Sequence, residues 1–434
     1  MPGKPPPRFA LPESAAHLTY RVVRPWARWG VSLFHRIDRS VEGAEHLSNP
    51  EGKDPARLLF SGHQNGLADP ILACVLLPPQ IHFFTRGDVF RHPLARALLL
   101  RLNMMPIFRP KDRLDDMADR NRATFSAAHS RLENGATCGI FPEAGHREER
   151  RIRRFRHGSA RFIAGALQRL PVRERGLEIL PMHLDFERYE GYRTGARITL
   201  GPPIAVLDIP GIESDAGSAR VVLSQRMRQA LLGVAVNLLE GPDYEVHLAI
   251  CRYLEGASGG RVNRSALDRA AQAITQDPEA ARRDFESALS AGFRSPRTTD
   301  DFAACGRWDS QGFTGILPHL WRLPAWGIFI ATTGWWPRVA QRAAERRVKQ
   351  VSFRTTFSIP LTMVAVSLSW LVLSLGSAVA WGHPAMAPVV FLLLRLSQHM
   401  AMPLEDAWLD RRGENRVQAH ADHPFIRQWC RPFA

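Results

Sequence analysis

Three short stretches of this chain hold the residue types that acid–base and anion chemistry require. The first is Gly62-His63-Gln64-Asn65-Gly66-Leu67-Ala68-Asp69-Pro70. A histidine accepts a proton near neutral pH, and a carboxylate beside it fixes the tautomer and stabilises the imidazolium. Residues six apart on an ideal helix point about 240° away from each other, so His63 and Asp69 meet only if the chain turns between them. Asn65-Gly66 supplies a turn, because both residues tolerate positive φ. The plainer alternative is a loop histidine followed by an aspartate that caps a helix. The second stretch, Met105-Pro106-Ile107-Phe108-Arg109-Pro110, is a short apolar strand ending in one arginine. The third is Gly139-Ile140-Phe141-Pro142-Glu143-Ala144-Gly145-His146-Arg147, an apolar strand feeding a turn with a carboxylate, an imidazole and a guanidinium. Behind it runs Arg150-Arg151-Ile152-Arg153-Arg154-Phe155-Arg156. Residues 101–170 carry 15 basic and 8 acidic residues, a net of +7. Arginines on strand-end loops suit bidentate phosphate recognition, although an arginine run is also a common solvated face.

These residues need a framework that brings loops together. Between about 40 and 205, short apolar runs alternate with helical ones. Arg57–Ser61, Ile81–Thr85, Pro106–Phe108, Cys138–Phe141, Ile179–Leu184 and Arg197–Leu200 read as strands. Phe90–Leu102, Asp112–Glu133 and Gly158–Leu170 read as helices. That alternation predicts an α/β layer fold, a sheet flanked by helices. Residues 212–300 differ. They are Ala-rich, with helical spacing over Ser218–Leu239 and Ser265–Ala291, and read as a helical insertion or second domain. The expected division is 1–40, a basic and aromatic N-terminal segment; 41–210, the α/β domain; 211–310, the helical insertion; and 311–434, a membrane-associated C-terminal region.

The last of these rests on one stretch. From Thr355 to Leu394 there are 40 consecutive residues without Asp, Glu, Lys or Arg. Ile359–Trp381 is long enough to span a bilayer, at roughly 20 residues per span. Gly382-His383-Pro384 then turns the chain, and Ala385–Met400 returns with Arg395 in it. A hairpin, one span with an interfacial segment, and a helix pair in a soluble core all fit. The flank Arg338–Arg354 carries six basic residues against Glu345, which marks the cytosolic side. Leu323–Pro337, with Trp326, Trp335 and Trp336, is too short to span and reads as an in-plane element at headgroup depth. Tyr20–Arg36 reads either as a second such element or as an amphipathic surface helix.

Composition narrows the function classes. With 45% hydrophobic and 23% charged residues, the chain is neither disordered nor fibrous. Its net charge of +15 draws it to phosphate, in lipid headgroups, metabolites or nucleic acid. No nucleic-acid motif is present, and the aromatic residues cluster with apolar runs, so no nucleic-acid partner is expected. The five cysteines are far apart and form no Cys-x-x-Cys, which fits a reducing compartment and argues against a zinc site. The opening Met1-Pro-Gly-Lys-Pro-Pro-Pro-Arg lacks the apolar core of a signal peptide.

Taken together, the three stretches resemble the ordered motifs of the glycerolipid acyltransferase family, which includes glycerol-3-phosphate and 1-acylglycerol-3-phosphate O-acyltransferases. His63 and Asp69 match its His…Asp block, with five residues between them where four are usual. Ile107-Phe108-Arg109 matches the strand ending in arginine. Phe141-Pro142-Glu143-Ala144-Gly145-His146 is similar to its Phe-Pro-Glu-Gly-Thr-Arg, with Ala144 where glycine is usual, His146 where the arginine falls, and Arg147 one residue late. Ile179-Leu180-Pro181 resembles the fourth block, and Gly201-Pro202-Pro203-Ile204 the motif beyond it. Phe84–Phe90 and Val351–Phe357 are also similar. The resemblance covers about 20–205 well and 310–400 loosely. It implies an acyltransferase-type sheet and direct acyl transfer. His63 would take a proton from the acceptor hydroxyl, which attacks the thioester of acyl-CoA or acyl carrier protein, and Asp69 would orient His63. Arg109, Glu143, His146 and Arg147, or the run Arg150–Arg156, would hold a phosphorylated glycerol or lysophospholipid. Neither metal nor cofactor is implied, and no Gly-x-Ser-x-Gly elbow is present. The expected place is the membrane, with the site facing the cytoplasm. Two alternatives stand beside this reading: a membrane-associated hydrolase using His63 and Asp69 on a metal, and a non-catalytic protein binding anionic lipid.

Overall fold

The computed structural model describes residues 17–37, 41–48, 55–145, 147–212, 214, 217–297, 301–311 and 315–434. The chain forms two compact units: residues 1–32, 37–186 and 196–235, and residues 33–36, 187–195 and 236–434.

The first unit is built on a mixed sheet. Its strands are β1 (His35–Ile37, at the unit boundary), β2 (Ala56–Phe60), β3 (Ile81–Arg86), β4 (Met105–Ile107), β5 (Thr137–Ile140), β6 (Leu177–Phe186) and β7 (Thr194–Leu200), in the order β1-β7-β6-β2-β5-β3-β4. β2 lies parallel to β5 and β6, and β3 parallel to β4 and β5. Only β6 and β7 are antiparallel among the registered pairs. Every residue of β2 is buried, as a central parallel strand covered on both faces requires.

The connecting helices are α1 (His17–Phe34), α2 (Ala68–Leu76), α3 (Pro93–Arg101), α4 (Met117–Glu133), α5 (His157–Leu167), α6 (Leu170–Arg175) and α7 (Gly217–Leu232). The crossovers through α2 and α3 step one way along the sheet. Those through α4, α5 and α6 step back. With right-handed crossovers, α2 and α3 cover one face and α4–α6 the other. α4, α5 and α6 pack against one another, and α7 joins them through Leu223, Met227 and Leu231.

The α/β expectation is met, and the differences have local causes. The helix expected from Phe90 starts at Pro93, after a short 3-10 turn at Gly87–Phe90. A proline at the first helical position disfavours helix in the residue before it. The helix expected from Asp112 starts at Met117, because Arg113 takes a left-handed φ of 52°. The spacing over Ser265–Ala291 resolves into two helices, α9 (Arg264–Gln276) and α10 (Pro278–Ser290). Asp277 caps the second and Pro278 opens it.

The second unit also contains α8 (Tyr244–Ala257), α11 (Asp301–Gln311), α12 (Leu323–Thr332), α13 (Trp336–Arg347), α14 (Val351–Ala380) and α15 (Met386–Val417). Tyr253, Phe285, Phe302 and Phe425 centre its core. Segment 187–195 is tied to the long helices by Arg193, bidentate to Asp406 at 2.6 and 2.7 Å, and by Arg354 to Glu190 at 2.6 Å. Fully buried Glu405 accepts from Trp326 at 2.8 Å and pairs with Arg338, fastening α12 and α13 to α15. Phe353–Ala380 in α14, and Met386–His420, made of α15 and the 3-10 turn after it, are long and apolar enough to cross a membrane. In an 18-residue stretch of each only 28% is buried, and side chains such as Leu368, Val372, Val379 and Leu392 are exposed.

Candidate active site

Parallel strands present their carboxyl ends along one edge, where a side chain on each following loop can converge. β2 ends at Phe60, and Ser61 N–H donates to the Ile140 carbonyl at the end of β5, 3.2 Å away, so the loops after β2 and β5 start side by side. Packing is tight at Gly62: a Cβ would sit 3.0 Å from Ile152 and 3.4 Å from the Glu143 carboxylate.

The loop 61–67 turns where the residue types allow it. Gly66 takes a φ of 45°. The turn carries Asp69 into the first turn of α2, where the helix dipole favours an anion. Asp69 is fully buried, and its Oδ2 accepts from His63 Nδ1 at 2.7 Å and from the backbone N–H of Gln64 and Asn65, each at 2.9 Å. A carboxylate only accepts, so the proton of neutral His63 sits on Nδ1 and Nε2 is left as the basic nitrogen. The structure therefore brings together the pair that the sequence separates by five residues.

The His63 ring, 19% exposed, stacks on Phe141 with centroids 4.2 Å apart and planes 16° apart. Phe141 in turn stacks on Phe83 at 5.5 Å and 12°. That platform depends on Gly139, where an added Cβ would collide with the Phe83 ring. Gly139→Ala is expected to cost about 1–3 kcal/mol by overpacking. Denaturant unfolding of the detergent-solubilised protein measures it.

Glu143 and Arg147 lie in the loop after β5. Arg147 N–H donates to the His63 carbonyl at 3.3 Å, while its side chain is exposed. The Glu143 carboxylate is fully buried and is held by Arg153, whose backbone N–H donates to Oε1 at 3.0 Å and whose Nε donates to Oε2 at 2.9 Å. Ala144 takes a left-handed φ of 56°. This accounts for the glycine usual at that position, since a Cβ in the left-handed region costs roughly 1–2 kcal/mol. His146 lies outside the described residues.

The arginine run is not one patch. Arg150 is buried and pairs with Asp185 at 2.7 Å. Burial alone would raise the Asp185 carboxyl, but Arg150 and His183 hold it well below the usual carboxylate range. Ile152 and Phe155 enter the core, Arg153 takes Glu143, and Arg154 and Arg156 are exposed. Arg153 is the residue that sequence reasoning missed, since nothing in the run distinguishes it from its neighbours.

Arg109 stands apart. It follows β4, three strands from β2, which places it about 14 Å across the sheet at 4.7–4.9 Å per strand. Its Nη2 lies 3.8 Å from both Asp88 and Asp112, too far for a strong pair, and its Nε and Nη2 make no hydrogen bond. Burial first, and then neighbouring Arg86, lower its pKa. A guanidinium with two nitrogens lacking hydrogen bonds, beside a second guanidinium, suits an incoming anion. Among the described residues, no group of three His, Cys, Asp or Glu is placed to hold a metal.

Residues 38–185 match the model of the family described as Acyltransferase. No curated protein matches. Among solved structures, the crystal structure of the 1-acyl-sn-glycerophosphate (LPA) acyltransferase PlsC from Thermotoga maritima is similar at 15% identity, covering 50% of this chain and 80% of that one with a TM-score of 0.36. The matched span begins directly after β1 and ends in β6, so it encloses His63, Asp69, Arg109, Glu143 and Arg153. The span that holds these residues is an Acyltransferase domain, and the chain is an acyltransferase.

Proposed function

We propose that the protein transfers a fatty acyl group from acyl-CoA or acyl carrier protein to a hydroxyl of glycerol-3-phosphate, 1-acylglycerol-3-phosphate or a related lysophospholipid. The observation that carries this reading is the 2.7 Å contact between His63 Nδ1 and buried Asp69. Nε2 takes the proton of the acceptor hydroxyl as its oxygen attacks the thioester carbonyl. The imidazolium that forms is stabilised by Asp69. It returns its proton to the thiolate as the tetrahedral intermediate collapses, leaving the ester and the free thiol. Neither a covalent acyl-enzyme nor a metal has a part in this sequence.

Arg109, under-supplied with hydrogen bonds and backed by Arg86, binds the acceptor phosphate in this reading. Arg109→Ala is expected to lose one charge-assisted contact, on the order of 1.5–3 kcal/mol. That corresponds to about a 10- to 150-fold rise in acceptor KM. Donor KM should stay nearly unchanged, and separate titration of the two substrates checks the split. The direct test of function is to incubate the purified protein with acyl-CoA or acyl carrier protein thioesters and a panel of acceptors. The panel includes phosphate-bearing glycerols, lysophospholipids and unphosphorylated glycerol, with products identified by mass. Esterification of the phosphate-bearing acceptors alone supports the reading. Hydrolysis with no ester product sinks it.

α14 and α15 anchor the enzyme where its acyl chains reside, and the basic flank Arg338–Arg354 sets the active site toward the cytoplasm. Alkaline carbonate is expected to leave the full chain in the membrane pellet. Clean release as a protein soluble without detergent would mean that the hairpin is not in lipid.

A further inference from the structure

We propose that Arg153 is a positioning residue for His63, and that it works with Glu143 as a clamp across the two loops that carry the site. The proposal rests on the acyl-transfer reading above.

The Glu143 carboxylate is fully buried and both of its oxygens are engaged by Arg153, Oε1 through the backbone N–H and Oε2 through Nε and Nη2, the last at 2.5 Å. A carboxylate so occupied does not face an acceptor. The same Nη2 also donates to the Gly145 carbonyl and reaches the His63 carbonyl at 3.5 Å. One guanidinium thus joins a carboxylate and a carbonyl of the loop after β5 to the backbone of the histidine on the loop after β2. Only a planar fork with several donors spans such a set.

The loop after β5 needs this hold. It carries the left-handed Ala144, and it delivers the Arg147 N–H to the same His63 carbonyl. Asp69 and Phe141 fix the imidazole from its edge and its face, while the clamp fixes the backbone from which the ring hangs. If Arg153 lets go, the Arg147 N–H drifts and the ring tilts, although Asp69 still holds one nitrogen.

The test uses the full chain in detergent micelles with Arg153→Gln, Arg153→Lys, Glu143→Gln and the double variant Glu143→Gln/Arg153→Gln. Arg153→Gln is expected to lower kcat about 100-fold, the scale of a 1 Å misplacement, with both KM values nearly unchanged. Arg153→Lys should recover part of the loss. The double variant leaves no buried unpaired charge and should fold at least as well as either single one. It should be no slower than Arg153→Gln, because the two residues act as one unit. The second readout is the ¹⁵N resonance of His63 Nδ1–H, which reports its bond to Asp69 and needs no substrate. It should shift in Arg153→Gln and return toward its wild-type position in Arg153→Lys. A resonance that does not move in the folded variants overturns the clamp, whatever the enzyme acylates. So does a selective rise in acceptor KM at unchanged kcat, which would put Arg153 or Glu143 on the substrate. Wild-type protein without acyl transfer would overturn the proposed function alone, since the resonance still decides the clamp.

Discussion

His63→Ala is expected to lower kcat by roughly 10²–10⁴, the usual cost of removing a general base. The loss should come with little change in stability. The ring is partly exposed and stacks on Phe141 at the mouth of the loop, so its removal opens no sealed cavity. Asp69 keeps the backbone N–H groups of Gln64 and Asn65 as partners, so no anion is stranded. Single-turnover acyl transfer at saturating donor measures the effect, with thermal unfolding as the control. Near-normal turnover by a folded His63→Ala protein would remove His63 from the chemistry.

Asp69→Asn should be comparably severe, on the order of 10²–10⁴, for a different reason. An amide has one oxygen and one NH₂. If the oxygen keeps the Gln64 and Asn65 N–H groups and His63 Nδ1, the imidazolium loses its counter-charge. If the NH₂ turns to Nδ1 instead, it forces the proton onto Nε2 and removes the base. In the first orientation the NH₂ lies where Asp69 Oδ1 is buried without a hydrogen-bond partner, which costs about 1–3 kcal/mol. The kinetic loss should exceed what that stability change explains. The double variant His63→Ala/Asp69→Asn should be no slower than His63→Ala, since groups acting as a unit are not additive. An Asp69→Asn enzyme slower by less than tenfold would mean that the aspartate only holds the loop at Gln64 and Asn65.

Much of the framework was legible in the sequence because it is written locally. β2, β3, β5, β6 and β7 lie where short β-branched and apolar runs stand between turn residues, with no end shifted by more than three residues. Breaks fell where a proline or a left-handed residue stopped a helix, as at Pro93, Arg113 and Pro278. The placing of α7 was not legible. Its helical spacing reads like that of the helices after it, and its packing on α5 and β6 assigns it to the first unit.

By itself the sequence pointed, through its ordered motifs, to an α/β acyltransferase, and it placed an Asn65-Gly66 turn between His63 and Asp69. Those features depend on residues near one another in the chain, and short-range sterics decide them. The tertiary structure decided what each charged side chain faces. Glu143 turns inward to Arg153 and not outward to a ligand. Arg150 goes to Asp185, and Arg154 and Arg156 go to solvent. Arg109 ends about 14 Å from β2, because β5 and β3 lie between them in the sheet. Arginines in one run are chemically identical. Which of them is buried depends on strand order and on the carboxylates that distant segments bring alongside, and spacing along the chain carries neither.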